Sequence, residues 1–144
     1  MMTYHIGIDP GANGCIAVID NRGHVLDWLN FKDKTEHDIA EWLQVYDCSA
    51  EAVIERVSSS PQMGVVSAFS FGRNYGFLRG LLVAMRIKMR EVTPAVWQKE
   101  MQCRTGGDKN ISKAAAQKLW PSNRFTHSNA DATLIAEFGR RTHK

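Results

Sequence analysis

Cysteine is scarce in this chain of 144 residues, which contains only Cys15, Cys48 and Cys103. The three are far apart, and none belongs to a Cys-x-x-Cys pair or to the Cys/His spacing of a zinc site. The sequence suggests no base beside any of them that would make it a nucleophile. The pattern excludes a disulfide-stapled scaffold and a structural zinc module, and it favours a reducing, cytoplasmic compartment.

A long uninterrupted hydrophobic run is also missing. The most apolar stretch, residues 63–85, is broken by Arg73 and Arg79, so we expect a buried helix there and no membrane partner. The start, Met1–Tyr4, lacks the basic-then-apolar pattern of a signal peptide. Apolar content of 44% and charged content of 23% are ordinary for a globular protein. We expect residues 1–144 to form a single domain.

Charge is unevenly distributed, although the formal net charge is only +3. Residues 1–60 contain 4 Lys/Arg and 10 Asp/Glu, a net of −6, whereas residues 86–124 contain 9 Lys/Arg and 3 Asp/Glu, a net of +6. A basic half beside an acidic half suggests a polyanion that meets a carboxylate site. Two ordinary solvated faces would give the same distribution, so charge alone does not decide between them.

Short apolar segments predict five strands, and helical spacing predicts helices between and after them. The first three strands are joined by tight turns and should be antiparallel, whereas the buried fourth strand should be parallel to the first and the fifth should be parallel as well. The order βββαβαβααα predicts an α/β fold, a mixed five-stranded sheet flanked by helices. The predicted strands are 4–9, 15–20, 24–31, 52–55 and 87–92, and the predicted helices start near Thr35, Met63, Pro94, Ser112 and Ser128 or Asn129.

Three glycines lie on one face of the longest predicted helix, because Gly72, Gly76 and Gly80 recur every four residues. Each glycine costs about 1 kcal/mol in a helix interior. The cost suggests that something packs closely against this face. A tight helix–sheet contact is the preferred interpretation, and a subunit interface is the alternative.

Three acids stand where an acid is locally unusual. Asp9 and Glu55 each end an apolar strand, and Asp131 lies in the first turn of an apolar C-terminal helix. If the first and fourth strands are parallel neighbours, Asp9 and Glu55 emerge side by side at their carboxyl ends, where open sheets bind ligands. Carboxylates suit Mg²⁺, and a pair of such ions can support phosphodiester hydrolysis.

Each acid also has a simpler explanation. Asp9 precedes Pro10 and could be a turn residue, Glu55 could pair with Arg56, and the helix dipole favours Asp131 near a helix start. These explanations suffice for each acid alone, but they account poorly for the joint placement on strand, strand and C-terminal helix.

Five segments match a known pattern in order along the chain. They are GIDPG (Gly7–Gly11), IERV (Ile54–Val57), GRNYG (Gly72–Gly76), VTPAVWQK (Val92–Lys99) and ADA (Ala130–Ala132). In this order they resemble the RuvC-type Holliday-junction resolvases of the ribonuclease H-like superfamily, particularly the bacteriophage branch. The resemblance spans roughly residues 6–136, nearly the whole chain.

The resemblance implies a ribonuclease H-like fold and a homodimer that nicks four-way or other branched DNA symmetrically. It implies Mg²⁺ as the cofactor, with Mn²⁺ as a substitute, no nucleotide cofactor, and the cytoplasm of a bacterium or phage-infected host as the location. Asp9, Glu55 and Asp131 match three of four catalytic, metal-binding positions. At the fourth, where the family has an acid or histidine, this chain offers Ser128 or His127. We favour His127, because imidazole can bind a metal or move a proton; a phosphate contact or an exposed cap histidine is an equal alternative.

Basic residues between positions 99 and 118 resemble the family's DNA-binding and catalytic-support lysines. Lys109 and Lys113 flank the predicted helix start, where a phosphate could meet an amine and a helix N-terminus, and which of them supports catalysis is open. Lys118 is expected to be a solvated surface lysine. The predicted DNA contacts are Arg73, Lys99, Arg104, Lys109 and Lys113. Phe69, Phe71 and Tyr75 could include a base-stacking wedge, although core packing is the preferred interpretation.

Three other functions are compatible with parts of this pattern. A nuclease of the same fold could act on structured RNA or other branched DNA, and a non-catalytic protein could bind junctions only. An actin-like kinase also begins its phosphate loop with a strand, Asp and Gly, but 144 residues are too few for the second domain that would enclose a nucleotide.

Overall fold

A computed structural model describes residues 3–143, apart from the side chain of Asp47. The order of strands and helices confirms the predicted βββαβαβααα arrangement, with one short 3₁₀ turn, Asp47–Ser49, before the fourth strand. The strands are β1 (Tyr4–Asp9), β2 (Cys15–Ile19), β3 (Val25–Asn30), β4 (Ala50–Glu55) and β5 (Lys88–Val92). The helices are α1 (Glu36–Leu43), α2 (Val65–Ala84), α3 (Pro94–Glu100), α4 (Lys109–Leu119) and α5 (His127–Arg141).

The five strands form one mixed sheet in the order β3-β2-β1-β4-β5. β2 pairs antiparallel with both β1 and β3, and β4 pairs parallel with both β1 and β5. The predicted α/β sheet of three antiparallel and two parallel strands is therefore confirmed. β1 and β4 lie side by side at the centre, and their carboxyl ends face the same edge.

The two faces of the sheet are covered by different helices, because side chains alternate along each strand. On one face Ile6, Ile8 and Ile54 pack in a core with Leu43 of α1 and Leu82 of α2. On the other face α5 crosses β1, β2 and β4, and it is buried over most of its length. A second core on that face contains side chains of β4, β5, α3, α4 and α5, among them Val53, Val92, Trp97, Ala116, Leu134 and Phe138.

The starts of the last two helices differ from the prediction. α5 begins at His127, because Thr126 and Asn129 form a reciprocal capping box in which the Thr126 hydroxyl accepts from the Asn129 N–H and the Asn129 side chain accepts from the Thr126 N–H at 2.8 Å. Asn129 and Ser128 are therefore helical residues and not the cap. α4 begins at Lys109, since the Asp108 carboxylate accepts a hydrogen bond from the Asn110 N–H. The predicted cap at Thr35 is confirmed, with Asp38 completing its capping box.

The predicted tight contact at the glycine face of α2 is wrong. A Cβ atom built on Gly72, Gly76 or Gly80 would meet nothing within 4 Å. The helix packs on the sheet through Leu78 and Leu82, so the glycines face away from the core.

The expected core position of Phe69 is also wrong. This side chain is 72% exposed, near the similarly exposed Val65 and Val66 at the start of α2, whereas Phe71 and Tyr75 are partly buried. No helix within residues 3–143 combines the length and apolarity that a membrane span requires.

Candidate active site

Asp9 and Glu55 lie at the carboxyl edge of the central parallel strands. Asp9 is the last residue of β1 and Glu55 the last residue of β4, and the residues just before them, Ile8 and Ile54, are paired across the two strands. Asp9 has the same parity along its strand as Gly7, and Glu55 the same as Val53. Both carboxylates therefore point to the face of the sheet that α5 covers.

Asp131 comes to the same place from α5. It lies in the second turn of that helix and not in the first turn as predicted, because the helix begins four residues earlier at His127. The electrostatic effect of Asp131 raises the pKa of both Asp9 and Glu55. The fold thus brings the three acids into one cluster from two strands and a helix that are distant in sequence.

The cluster is poorly solvated, which changes its ionisation. Burial raises the pKa of Asp9, and the charge of Asp131 raises it further. A hydrogen bond from the Gly11 N–H acts in the opposite direction, but the net pKa is still raised. Burial raises the pKa of Glu55 to about 7, with Asp9 and Asp131 contributing in the same direction. Burial also raises the pKa of Asp131. Carboxyl groups that disfavour their own charge in this way are typical of sites completed by a cation.

Neutral and cationic neighbours partly offset this repulsion. The indole Nε1–H of Trp97 in α3 donates to Glu55 Oε2 at 2.8 Å. The Ser112 hydroxyl of α4, which donates to the Lys109 carbonyl at 3.2 Å, lowers the pKa of Asp131. Lys109, the first residue of α4, lowers the pKa of all three acids. Trp97 and Ser112 were missed by the sequence analysis, since neither forms a local pattern with the acid that it affects.

One oxygen of the cluster lacks a hydrogen-bond partner in the part of the chain that the structure describes. Asp131 Oδ1 is buried and accepts no hydrogen bond from any residue within 3–143. A buried, unsatisfied carboxylate oxygen costs free energy unless a ligand, water or ion completes it.

Of the simpler explanations for the acids, the turn at Asp9 is present, but the ion pair between Glu55 and Arg56 is not found among the described residues. The Asp9 carboxylate does accept a turn hydrogen bond from the Gly11 N–H at 3.3 Å, as an Asx turn requires. Glu55 bonds to Trp97, and none of the ion pairs formed within residues 3–143 joins it to Arg56. The turn at Asp9 therefore coexists with its place in the cluster.

His127 and Ser128 face different partners. The His127 imidazole lies one helical turn before Asp131, lowers the pKa of Asp131, and makes a 2.9 Å hydrogen bond to Asn110 Oδ1 of α4. The Ser128 hydroxyl oxygen lies 3.0 Å from both the Asn13 carbonyl oxygen and Asn30 Oδ1, and these two oxygens are the acceptors for its proton. Of these two candidates for the fourth position, His127 is the one with an electrostatic effect on the acids.

The remaining predicted DNA contacts are exposed and spread over the molecule. Arg73 lies on α2, Lys99 in the last turn of α3, Arg104 in the loop before α4, and Lys113 one turn after Lys109 in α4. Lys109 alone among them acts electrostatically on the acid cluster. Which of Lys109 and Lys113 supports catalysis stays a prediction, and Lys109 is the one of the two that affects the ionisation of the acids.

The oxygen atoms of the acid cluster are suited to a hard divalent cation, provided that water or substrate supplies the remaining ligands. Within residues 3–143, no three His, Cys, Asp or Glu side chains are arranged closely enough to hold a metal ion by themselves. Mg²⁺ does not require such a cage, because it is usually bound by one or two carboxylates together with waters and substrate phosphates. Asp131 Oδ1, which lacks a partner among the described residues, is an oxygen of the kind that Mg²⁺ prefers.

The two buried cysteines next to this region are unreactive. Burial raises the pKa of Cys15, the strand partner of Asp9, to about 12, and that of Cys103 to about 11. Both are therefore protonated thiols at neutral pH, as expected for cysteines that pack in a core.

The sheet order and the helix packing define this protein as an α/β domain with a ribonuclease H-like fold and an acid cluster at the carboxyl edge of its central strands. Among solved structures it is similar to RuvC from Thermus thermophilus, with a TM-score of 0.64 at 14% identity over 98% of this chain and 96% of that one. It is also similar to T. thermophilus RuvC in complex with a Holliday junction substrate, with a TM-score of 0.60 at 13% identity and the same coverage. No family model and no curated protein matches the chain.

Proposed function

We propose that this protein is a structure-selective endonuclease of the RuvC type, as found in bacteriophages, which resolves four-way DNA junctions by metal-dependent phosphodiester hydrolysis. The observation that carries the proposal is the meeting of the partly buried side chains of Asp9, Glu55 and Asp131 at one edge of a RuvC-like sheet, with one Asp131 oxygen lacking a partner among the described residues. The similarity to a RuvC structure in complex with a Holliday junction substrate supports the choice of DNA.

Asp9, Glu55 and Asp131 are the proposed ligands of Mg²⁺, for which Mn²⁺ would substitute, and His127 is the proposed fourth ligand or proton carrier. When bound, the metal would activate water and stabilise negative charge on the phosphate oxygens. The protein's own contribution is to bring the carboxylates to one poorly solvated edge of the sheet. Lys109 lowers the pKa of all three acids, which supports the proposal that its ammonium group neutralises a phosphate that approaches them.

The proposed DNA surface runs from the acid cluster over the exposed basic side chains of α3, the following loop and α4. A surface that neutralises phosphates releases counterions, so affinity for DNA should fall steeply as salt rises. Replacing Lys109 by Ala should weaken both binding and cleavage, whereas Lys118→Ala, near the end of α4, serves as a matched control. An affinity that does not change with salt would contradict this surface. The proposed contacts on this surface are Lys99, Arg104, Lys109 and Lys113. Arg73, which lies on α2, is proposed as a DNA contact outside it.

A four-way junction has two equivalent cleavage positions, so paired symmetric nicks call for two copies of the site related by a two-fold axis. We propose that the outer face of α2 is the dimer surface. Val65, Val66 and Phe69 are 86%, 80% and 72% exposed there, and the open glycine face would let a second helix approach closely. Phe69→Arg should shift the protein from dimer to monomer in sedimentation equilibrium; a wild-type protein that sediments as a monomer on and off DNA would exclude the dimer.

The central experiment compares cleavage of a mobile four-way junction, a linear duplex and a structured RNA, each with Mg²⁺ and with Ca²⁺. We expect paired nicks in the junction with Mg²⁺, and binding without cleavage in Ca²⁺. Equal cleavage of all three substrates would indicate a nuclease of broader specificity. Tight junction binding without cleavage under any metal would indicate a protein that only binds junctions.

A further inference from the structure

Trp97 is the largest side chain buried beside the acid cluster. It is 0% exposed and packs in the core that α5 shares with β4, β5, α3 and α4. Its indole Nε1–H donates to Glu55 Oε2 at 2.8 Å, and it is the one hydrogen-bond donor to that carboxylate among residues 3–143.

In the hydrogen bond between Trp97 and Glu55, the Trp97 side chain is the more rigid of the two, so it fixes the position of the Glu55 carboxylate. Trp97 lies inside α3, where its backbone N–H bonds to the Thr93 carbonyl and its carbonyl accepts from the Met101 N–H. Its side chain has two rotatable bonds and is enclosed by the core, whereas the Glu55 side chain has three rotatable bonds and ends a strand. The hydrogen bond therefore limits where the Glu55 carboxylate can turn.

The choice of acceptor distinguishes Trp97 from the other tryptophans whose indole groups are hydrogen-bonded. Trp28 Nε1–H donates to the Thr133 hydroxyl, and Trp120 Nε1–H donates to the Gly23 carbonyl, each at 2.7 Å. Those acceptors are neutral and belong to no acid cluster. Of these three tryptophans, only Trp97 donates its indole N–H to a carboxylate. Such a hydrogen bond is charge-assisted, and therefore stronger, when the acid is ionised.

We propose that Trp97 is a positioning residue that holds Glu55 Oε2 through its indole N–H and so leaves Glu55 Oε1 free to bind the divalent cation. The inference rests on the proposed function, because it assigns Trp97 a task in the same metal site. Partners that orient a metal-binding side chain typically change metal affinity or activity by roughly 10–100-fold when they are removed. The alternative is a core tryptophan that merely satisfies its N–H on the nearest acceptor.

An isosteric change separates these two roles. Site-specific incorporation of 3-benzothienylalanine at position 97 replaces the N–H with sulfur and keeps the shape of the ring. We expect the Mg²⁺ affinity of the full chain, measured by calorimetry, to fall about tenfold, while the protein stays folded. The same analogue at Trp120 is the matched control, since it removes an indole hydrogen bond away from the acids and should leave Mg²⁺ affinity unchanged.

A second measurement needs no variant at position 97. The indole ¹⁵N–¹H resonance of Trp97 in the wild-type protein should shift on addition of Mg²⁺ and should move in Glu55→Gln, whereas the Trp120 resonance should do neither. Unchanged Mg²⁺ affinity in the position 97 analogue, or an indole resonance that ignores both Mg²⁺ and Glu55→Gln, overturns the positioning role and leaves the proposed function standing. A wild-type protein that binds no Mg²⁺ overturns both proposals.

Discussion

The backbone of α5 lies directly against Gly7 of β1. A Cβ atom at Gly7 would be 2.1 Å from the carbonyl oxygen of Ala132, far inside van der Waals contact. Ala132 follows Asp131, and Gly7 is two residues before Asp9. The absence of a side chain at this one strand position therefore sets how closely the helix that carries Asp131 approaches the strand that carries Asp9.

This contact predicts that Gly7→Ala is strongly destabilising. The obstacle is the α5 backbone at Ala132 and Ala136, which cannot rotate away as a side chain could. We therefore expect the free energy of unfolding to fall by about 3 kcal/mol, at the upper end of the usual cost of overpacking. Urea denaturation measures it. Gly76→Ala is the matched control when both variants also carry Phe69→Arg, so that the proposed dimer surface plays no part. Its Cβ would meet open space in a helix interior and should raise stability by roughly 0.5–1 kcal/mol. Similar values for the two variants would contradict the close contact.

Asp9→Asn is predicted to abolish cleavage and to preserve junction binding. The amide oxygen can still accept the Gly11 N–H hydrogen bond, so the turn after β1 should survive. The variant loses one negative charge that a divalent cation would need. Cleavage and gel-shift assays on the same junction test the two halves of the prediction. Unchanged cleavage would count decisively against the proposed mechanism.

His127→Ala is predicted to lower the cleavage rate at least tenfold, a barrier increase of about 1.4 kcal/mol. The imidazole lies one turn from Asp131 and affects its ionisation, so its loss should act on the chemical step. Ser128→Ala is the comparison, since the Ser128 hydroxyl bonds to Asn13 and Asn30. That variant should lose about 1 kcal/mol of stability with little change in rate. Near-normal rates in His127→Ala would instead point to Ser128 or a water molecule.

The raised pKa of Glu55 predicts an unusual pH dependence for the metal-free protein. Between the ordinary value of 4.5 and about 7, the folded protein keeps a proton on Glu55 that the unfolded chain has released. The free energy of unfolding should therefore fall as pH rises through this interval. Urea denaturation in EDTA from pH 4.5 to 7.5 measures the slope, and Glu55→Gln should flatten it.

The same ionisation predicts how the metal responds to pH. A cation competes with the proton for Glu55, so Mg²⁺ affinity should rise as pH rises toward 7. Calorimetric titrations at several pH values test it. An affinity that is constant over this range would mean that Glu55 does not bind the metal.

Much of the fold could be predicted from local patterns. Period-two alternation in Tyr4–Asp9 and the buried run that ends at Glu55 indicated strands, and a helix between them favoured parallel pairing. Pairing then brought Asp9 and Glu55 to one edge. The sequence was less informative where several neighbouring residues could each begin a helix. Thr126, Ser128 and Asn129 are all capping residues, and Thr126 became the cap because Asn129 is correctly placed to reciprocate.

The glycine repeat of α2 shows another limit of local patterns. The spacing correctly placed Gly72, Gly76 and Gly80 on one face, but it could not say whether that face meets the sheet or solvent. Packing decided this, since Leu78 and Leu82 are larger apolar side chains and take the buried side of the helix.

By itself, the sequence determined which segments form strands and helices, and which acids end the central strands, because alternation and turn chemistry act over a few residues. The tertiary structure alone decided the contacts of those acids. Trp97 meets Glu55 across 42 positions of sequence, and of Lys109 and Lys113 only Lys109 has an electrostatic effect on the acids. Such contacts depend on how α3, α4 and α5 pack on the sheet, and burial there, not any local motif, raises the pKa of the three acids.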